Sequence, residues 1–242
     1  MTVDELLQEI REDFLDDAVE PYRWGQSRLR RWLSRAQEEA CMRQRLLVDS
    51  STPAICDVTL VADQPDYVLD PRIVLVEKVT LDGVPIEKRT EDQLDRTDPS
   101  WRTPNSGSGV LRYLQNELTI TLLATPTAAE HDKTLKLRVQ RLPLVPFTSG
   151  SQSPEIPIQY HRDLIWYVIA TAFDLPDEDT QNTRKADEYM ARFDAAFGPA
   201  LRADVLAHKR REAKTSFIGN PHAYHGRRST PVYRGDPFDF ED

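Results

Sequence analysis

The sequence predicts an α+β fold: a core of about four helices, an inserted small β-sandwich or barrel-like domain, and an extended C-terminal arm. Three observations predict it. Apolar residues recur at three- and four-residue steps over residues 1 to 50 and again over 157 to 214, the spacing of a helix with one buried face. From 54 to 145 the apolar period falls to two, and β-branched residues, Asp-Gly and Pro punctuation take over. From 215 to 242 no period is sustained.

The first helix starts at Thr2, whose hydroxyl and the Glu5 carboxylate three positions on form a reciprocal capping pattern. Val3, Leu6, Leu7, Ile10, Phe14 and Leu15 make its apolar stripe, and the helix is expected to end before Pro21. Ser27 is the expected cap of a second helix, with Leu29, Trp32, Leu33, Ala36, Ala40 and Cys41 inward and Leu46 and Leu47 closing it. Its other face carries Arg28, Arg30, Arg31, Arg35, Arg43 and Arg45 against Glu38 and Glu39, which suggests a charged partner surface in an acidic chain.

Strands are expected around Ile55 to Leu60, at Tyr67 and Leu69, and over Ile73–Leu81, where Asp82-Gly83 turns the chain into a hairpin with residues 84 to 86. Further strands are expected over 111 to 114, 118 to 122 and 135 to 141, with Asn116-Glu117 as a tight reversal. Residues 91 to 109 read as a long loop with one helical turn. Residues 143 to 157, with Pro143, Pro146, Pro154 and Pro157 about a Ser-Gly centre, form a linker to another layer. A strongly apolar third helix follows through Tyr160, Leu164, Ile165, Val168, Ile169 and Phe173. Asp179 or Thr180 caps the next, which Gly198-Pro199 interrupts before helical character resumes and fades at Lys209, Arg210, Arg211 and Lys214.

The chain has 242 residues and 39% hydrophobic content, enough for one substantial core or two modest ones. A formal net charge of -9 opposes a general nucleic-acid coat. Cys41 and Cys56 sit in apolar contexts that suit buried thiols better than a disulfide or metal framework, consistent with a reducing compartment. No apolar run reaches the ~18–20 residues of a membrane span, and the acidic amphipathic start is unlike a signal peptide, so a soluble cytosolic product is expected.

Reaction chemistry finds little support. Gly107-Ser108-Gly109 is not the G-x-S-x-G elbow of a nucleophile and reads as a loop tip. His222 and His225 are too few for a metal, His131 lies in a polar turn, and His208 neighbours a basic run. Phosphate-binding glycine motifs are absent, so neither cofactor nor metal is expected. Asp16-Asp17 and the Asp177, Glu178, Asp179 run flank helix ends, where carboxylates favour the helix dipole. Two rival readings are a hydrolase acting through His161 and a nucleic-acid-binding protein using the Arg-rich second helix. The basic clusters lack interleaved aromatics, which favours an acidic protein neighbour over nucleic acid.

The last 28 residues carry Phe217, Tyr224, Tyr233, Phe238 and Phe240, spaced as anchors for an extended segment lying along a partner. The opening MTVDELLQEIREDFLDD, the phrase LRRWLSRAQEEACMRQRLL, the strand phrase VTLVADQPDYVLDPRIVLVEKVTLDG and the later PEIPIQYHRDLIWYVIATAF with DEDTQNTRKADEYMARFDAAFG together resemble the head-to-tail adaptor (connector) proteins of short-tailed bacteriophages. That resemblance implies a ring, commonly of twelve copies, in the virion neck between portal protein and tail nozzle, assembled in the host cytoplasm. Double-stranded DNA passes through its centre without sequence-specific binding. No catalytic residues are implied. The expected partner-binding residues are the five arm aromatics with Lys209, Arg210 and Arg211.

Overall fold

The computed structural model describes residues 1–98, 100–102, 111–176 and 181–212. Helix α1 (Val3–Glu9) carries the expected capping box: Glu5 N–H donates to Thr2 Oγ1 at 3.3 Å, and Thr2 N–H to Glu5 Oε2 at 3.0 Å. It does not reach Pro21. Ile10–Leu15 widens into a π-helical turn, and Asp16 reverses the chain at φ 48°. The cause is a buried ion pair. Arg11 pairs with the Asp17 carboxylate, which also accepts from the Arg23 and Trp24 amides at 2.6 and 3.2 Å, while Arg11 Nη2 reaches Trp24 O at 2.5 Å.

That knot sets the start of α2 (Gln26–Arg43). The expected Ser27 cap is corrected: Gly25 is the cap, its carbonyl taking the Arg28 and Leu29 amides, and Ser27 lies inside the first turn. Trp24, buried against Trp32 with ring centroids 5.6 Å apart, starts the helix two residues too early for Ser27 to serve. The helix ends at Arg43, so Leu46 and Leu47 pack on the core from an extended segment.

The β region contains β1 (Val48–Asp49), a helical turn α3 (Pro53–Cys56), β2 (Asp57–Thr59), β3 (Asp66–Val68), β4 (Ile73–Leu81), β5 (Val84–Lys88), α4 (Glu91–Thr97), β6 (Arg112–Asn116), β7 (Thr119–Leu122) and β8 (Thr134–Arg141). The strand path is β1-β8-β4-β5-β6-β7-β3, with β2 also paired to β8. Of the two expected forms, sandwich or barrel-like, the β region takes the barrel-like one: a mixed sheet curled into a half-barrel. Only β5 and β6 pair in parallel, and register shifts between β4 and β8 at Ile73/Leu75 and Val76/Lys78 bend the longest pair. Asp82 and Gly83, at φ 51° and 81°, make the expected hairpin turn, and Glu117 at φ 48° makes the reversal between β6 and β7. Cys56, Leu60, Val79, Tyr113, Ile120, Leu135 and Val139 fill the curl.

Two expectations in this region change. Ile55 and Cys56 belong to α3 instead of a strand, because Pro53 opens a helical turn and Asp49 gathers the Ser51 and Thr52 amides just before it. The single helical turn after residue 91 is the two-turn α4. Thr90 and Gln93 cap each other at 3.2 Å, and Leu94 is buried beneath.

The linker folds back on the helices: Phe147 and Ile156 join their core, Phe147 N–H donates to Ser34 Oγ, and the Val3 and Asp4 amides donate to Gln152 and Gly150 carbonyls. After a 3-10 turn at Ile158–Tyr160, α5 (Leu164–Asp174) runs through the centre, packed on α2 and on α6 (Thr183–Phe197). The expected caps Asp179 and Thr180 lie outside the described residues, as do Asp177 and Glu178; Asn182 Oδ1 caps α6 by accepting from Lys185 N–H at 3.0 Å. Gly198, at φ 81°, ends α6 as expected, and α7 (Ala203–Arg211) follows.

Candidate interaction surfaces

The joint between helices and sheet is polar. Gln140 Nε2, from β8, donates to Cys41 O and Gln44 O at 3.0 Å each, satisfying carbonyls at the end of α2. Arg141 donates through Nε to Asp49 Oδ2 and through Nη1 to Glu155 Oε2, both at 2.8 Å. Burial pushes the Asp49 carboxyl up, but donors from Thr52, Ser51 and Arg141 outweigh it and hold the group well below the usual carboxylate range.

Helix α7 docks on the sheet with no buried residue of its own. Arg210 Nε reaches Val74 O at 2.9 Å, Nη2 reaches Ile73 O at 3.2 Å, and Nη1 pairs with Glu117 at 3.1 Å. From β5, Lys88 Nζ donates to Arg210 O and, at 3.0 Å, to Gln115 Oε1. Burial pulls the Lys88 ammonium down to about 8, against the opposing pull of Glu212. Of the expected basic cluster, Arg210 is therefore largely enclosed, whereas Lys209 and Arg211 are exposed. A cleft of about 650 Å³ beside α7 is lined by Arg89, Asp92, Asn116, His208, Arg211 and Glu212. Phe217, Tyr224, Tyr233, Phe238 and Phe240 lie outside the described residues, as do Lys214, Gly107-Ser108-Gly109, His222 and His225.

The arginines of α2 divide. Arg43 is enclosed, pairing with Glu39 and Asp194 and lying over the Phe193 ring. Arg45 pairs with Glu77, and Arg30 stands 3.7 Å from Asp4. Arg28, Arg31 and Arg35 are exposed on the outer face at three- and four-residue spacing and make no ion pair among the described residues. At the first corner of the bundle, a cleft of about 410 Å³ is lined by Asp4, Gln8, Glu12, Glu20, Tyr22 and Gln26, among others. Val19 and Tyr22 in the adjoining loop are 82% and 43% exposed.

The candidate reactive groups have structural surroundings. His161 is buried, its Nε2 2.8 Å from Ile156 O and its Nδ1 3.3 Å from Met1 O, so it ties the chain's start to the linker. The Cys41 thiol is pushed up to about 12 by burial first and Glu155 second; burial likewise raises Cys56. Among the described residues no group of three or more His, Cys, Asp or Glu is placed to hold a metal, and no helix is long and apolar enough to cross a membrane. Sequence reasoning missed the acidic cleft, since Glu12 and Glu20 meet only because the π-helical turn and the Arg11–Asp17 pair fold the chain back.

Among the described residues, His161 and both thiols are enclosed, the joint between helices and sheet is polar, and charged faces are left outward. The family model for SU10 adaptor protein matches residues 1–215, and the chain belongs to that family of phage adaptor (head-to-tail connector) proteins, as the resemblance led us to expect. The family is structural and implies no enzymatic role, which leaves the hydrolase reading through His161 without support. No curated protein matches the chain.

Proposed function

We propose that the chain assembles into a ring, of twelve copies by likeness to short-tailed phage connectors, between the portal protein and the tail nozzle. Double-stranded DNA leaves the capsid through the ring without sequence-specific binding. Its place is the neck of the virion, reached from the host cytoplasm during assembly. The observation that carries this reading is the match to the adaptor family over residues 1–215. Supporting it, Glu212, at the end of the described residues, lies on the wall of the cleft beside α7.

In this reading the arm docks on the portal with Phe217, Tyr224, Tyr233, Phe238 and Phe240 as anchors and with Lys209 and Arg211 beside it. Arg210 holds the helix from which the arm departs. Aromatic rings bury large area at low entropy cost, which suits them to this role. Deleting residues 215 to 242 tests it: portal attachment is expected to be lost, and unchanged ring formation on portal particles overturns the arm's role. The exposed Arg28, Arg31 and Arg35 also fit the second reading, nucleic-acid binding by α2, for which salt-sensitive binding of duplex DNA by the isolated protein is the test.

A further inference from the structure

We propose that the acid-walled cleft at the first corner of the bundle receives the arginine face of α2 from a second copy of this chain. The proposal rests on the ring reading and gives it a specific contact between neighbouring subunits.

Most described arginines have an acidic partner within the chain, including Arg11, Arg43, Arg72, Arg141 and Arg162. Among the described residues Arg28, Arg31 and Arg35 have none, although they crowd one face of one helix, where like charges three and four residues apart repel. An acidic surface from outside relieves that repulsion.

The same chain offers such a surface. Glu12 and Glu20 face one cleft with Asp4 and Gln8, and the Arg11 cation beside them is already taken up by Asp17. Among the described residues Glu12 accepts only from Gln8, and Glu20 makes no ion pair. About 410 Å³ admits a guanidinium, whose fork of donors matches carboxylates two at a time. Tyr22 offers a ring wall, and the exposed Val19 adds an apolar contact at the edge. Stripe and cleft are different patches, so the pairing is head-to-tail. Every stripe and every cleft is filled only when the chain of subunits closes into a ring. The net charge of -9 and the complementary cleft favour this occupant over DNA.

The test uses the full chain, alone and with its portal, followed by sedimentation at low and high salt. Arg31→Glu with Arg35→Glu, and separately Glu12→Arg with Glu20→Arg, are each expected to weaken self-assembly at least tenfold. Mixing the two variants is expected to restore it, because each reversed face then meets a reversed cleft; loss without rescue overturns the contact. Assembly of both variants at the wild-type level overturns the contact and leaves the ring standing. A wild-type chain that assembles neither alone nor on portal overturns the ring and the contact with it. Loss of duplex DNA binding in the arginine variant, with assembly unchanged, assigns the face to DNA and also overturns the proposal.

Discussion

Asp49 shows how one buried carboxylate holds a junction together. It takes donors from Ser51, Thr52 and Arg141, so one side chain links β1, the start of α3 and β8. Its folded carboxyl titrates below the ordinary value of about 3.9, so its contribution is whole above about pH 4 and is lost as pH falls through the folded value. Asp49→Asn is expected to cost about 2 kcal/mol near neutral pH, since Arg141 loses one of its two carboxylate partners and keeps Glu155, and to flatten the acid limb of the stability curve. Urea unfolding from pH 7 to pH 3 measures both; an unchanged acid limb counts against the assignment. At this scale the sequence was partly legible. The Thr2–Glu5 pattern is local and formed as expected, whereas Asp49 and Arg141 are 92 residues apart and meet only in the fold.

Helix α7 is the element with the weakest apolar hold and the most explicit polar one. Arg210→Ala removes the donors to Ile73 O, Val74 O and Glu117, and is expected to strip hydrogen-exchange protection from residues 203 to 211 while the amides of α5 stay slow. Equal protection in variant and wild type shows that another contact holds the helix. Lys88 adds a pH dependence of the same sense as that of Asp49, in an alkaline window. Its folded value of about 8 lies below the ordinary ~10.4, so the cost of burying its charge is full below pH 8 and is relieved as pH rises through that window. Stability is expected to rise between pH 8 and 10 in the wild type, and Lys88→Met is expected to lack that increment in thermal melts. The elements themselves were well marked in the sequence: β4, the Asp-Gly hairpin and α5 lie where periodicity and turn residues put them. The first helical run ends at Leu15, before Pro21 as expected, but no local signal announces its π-helical turn or that Arg11 and Asp17 will pair and turn the chain.

Across the whole molecule, one apolar cluster occupies the helices and another the curled sheet, and among the described residues the buried members of both lie within residues 3–197. A chain ending at residue 212 is therefore expected to melt within a few degrees of the full protein and to keep its near-ultraviolet circular dichroism. A large drop in melting temperature shows instead that the arm contributes to the body. With that control, loss of portal attachment on truncation reports docking and not unfolding. The sequence by itself determined the alternation of helical and strand periods, the turn positions and the likeness to phage connectors, because these depend on residues a few positions apart. Only the tertiary structure decided that the strands share one half-barrel, that Arg210 faces the sheet, that His161 is enclosed, and that Glu12 and Glu20 share a cleft. Each of those depends on groups brought together across the chain by burial and charge pairing, and their separation along the sequence carries no trace of it.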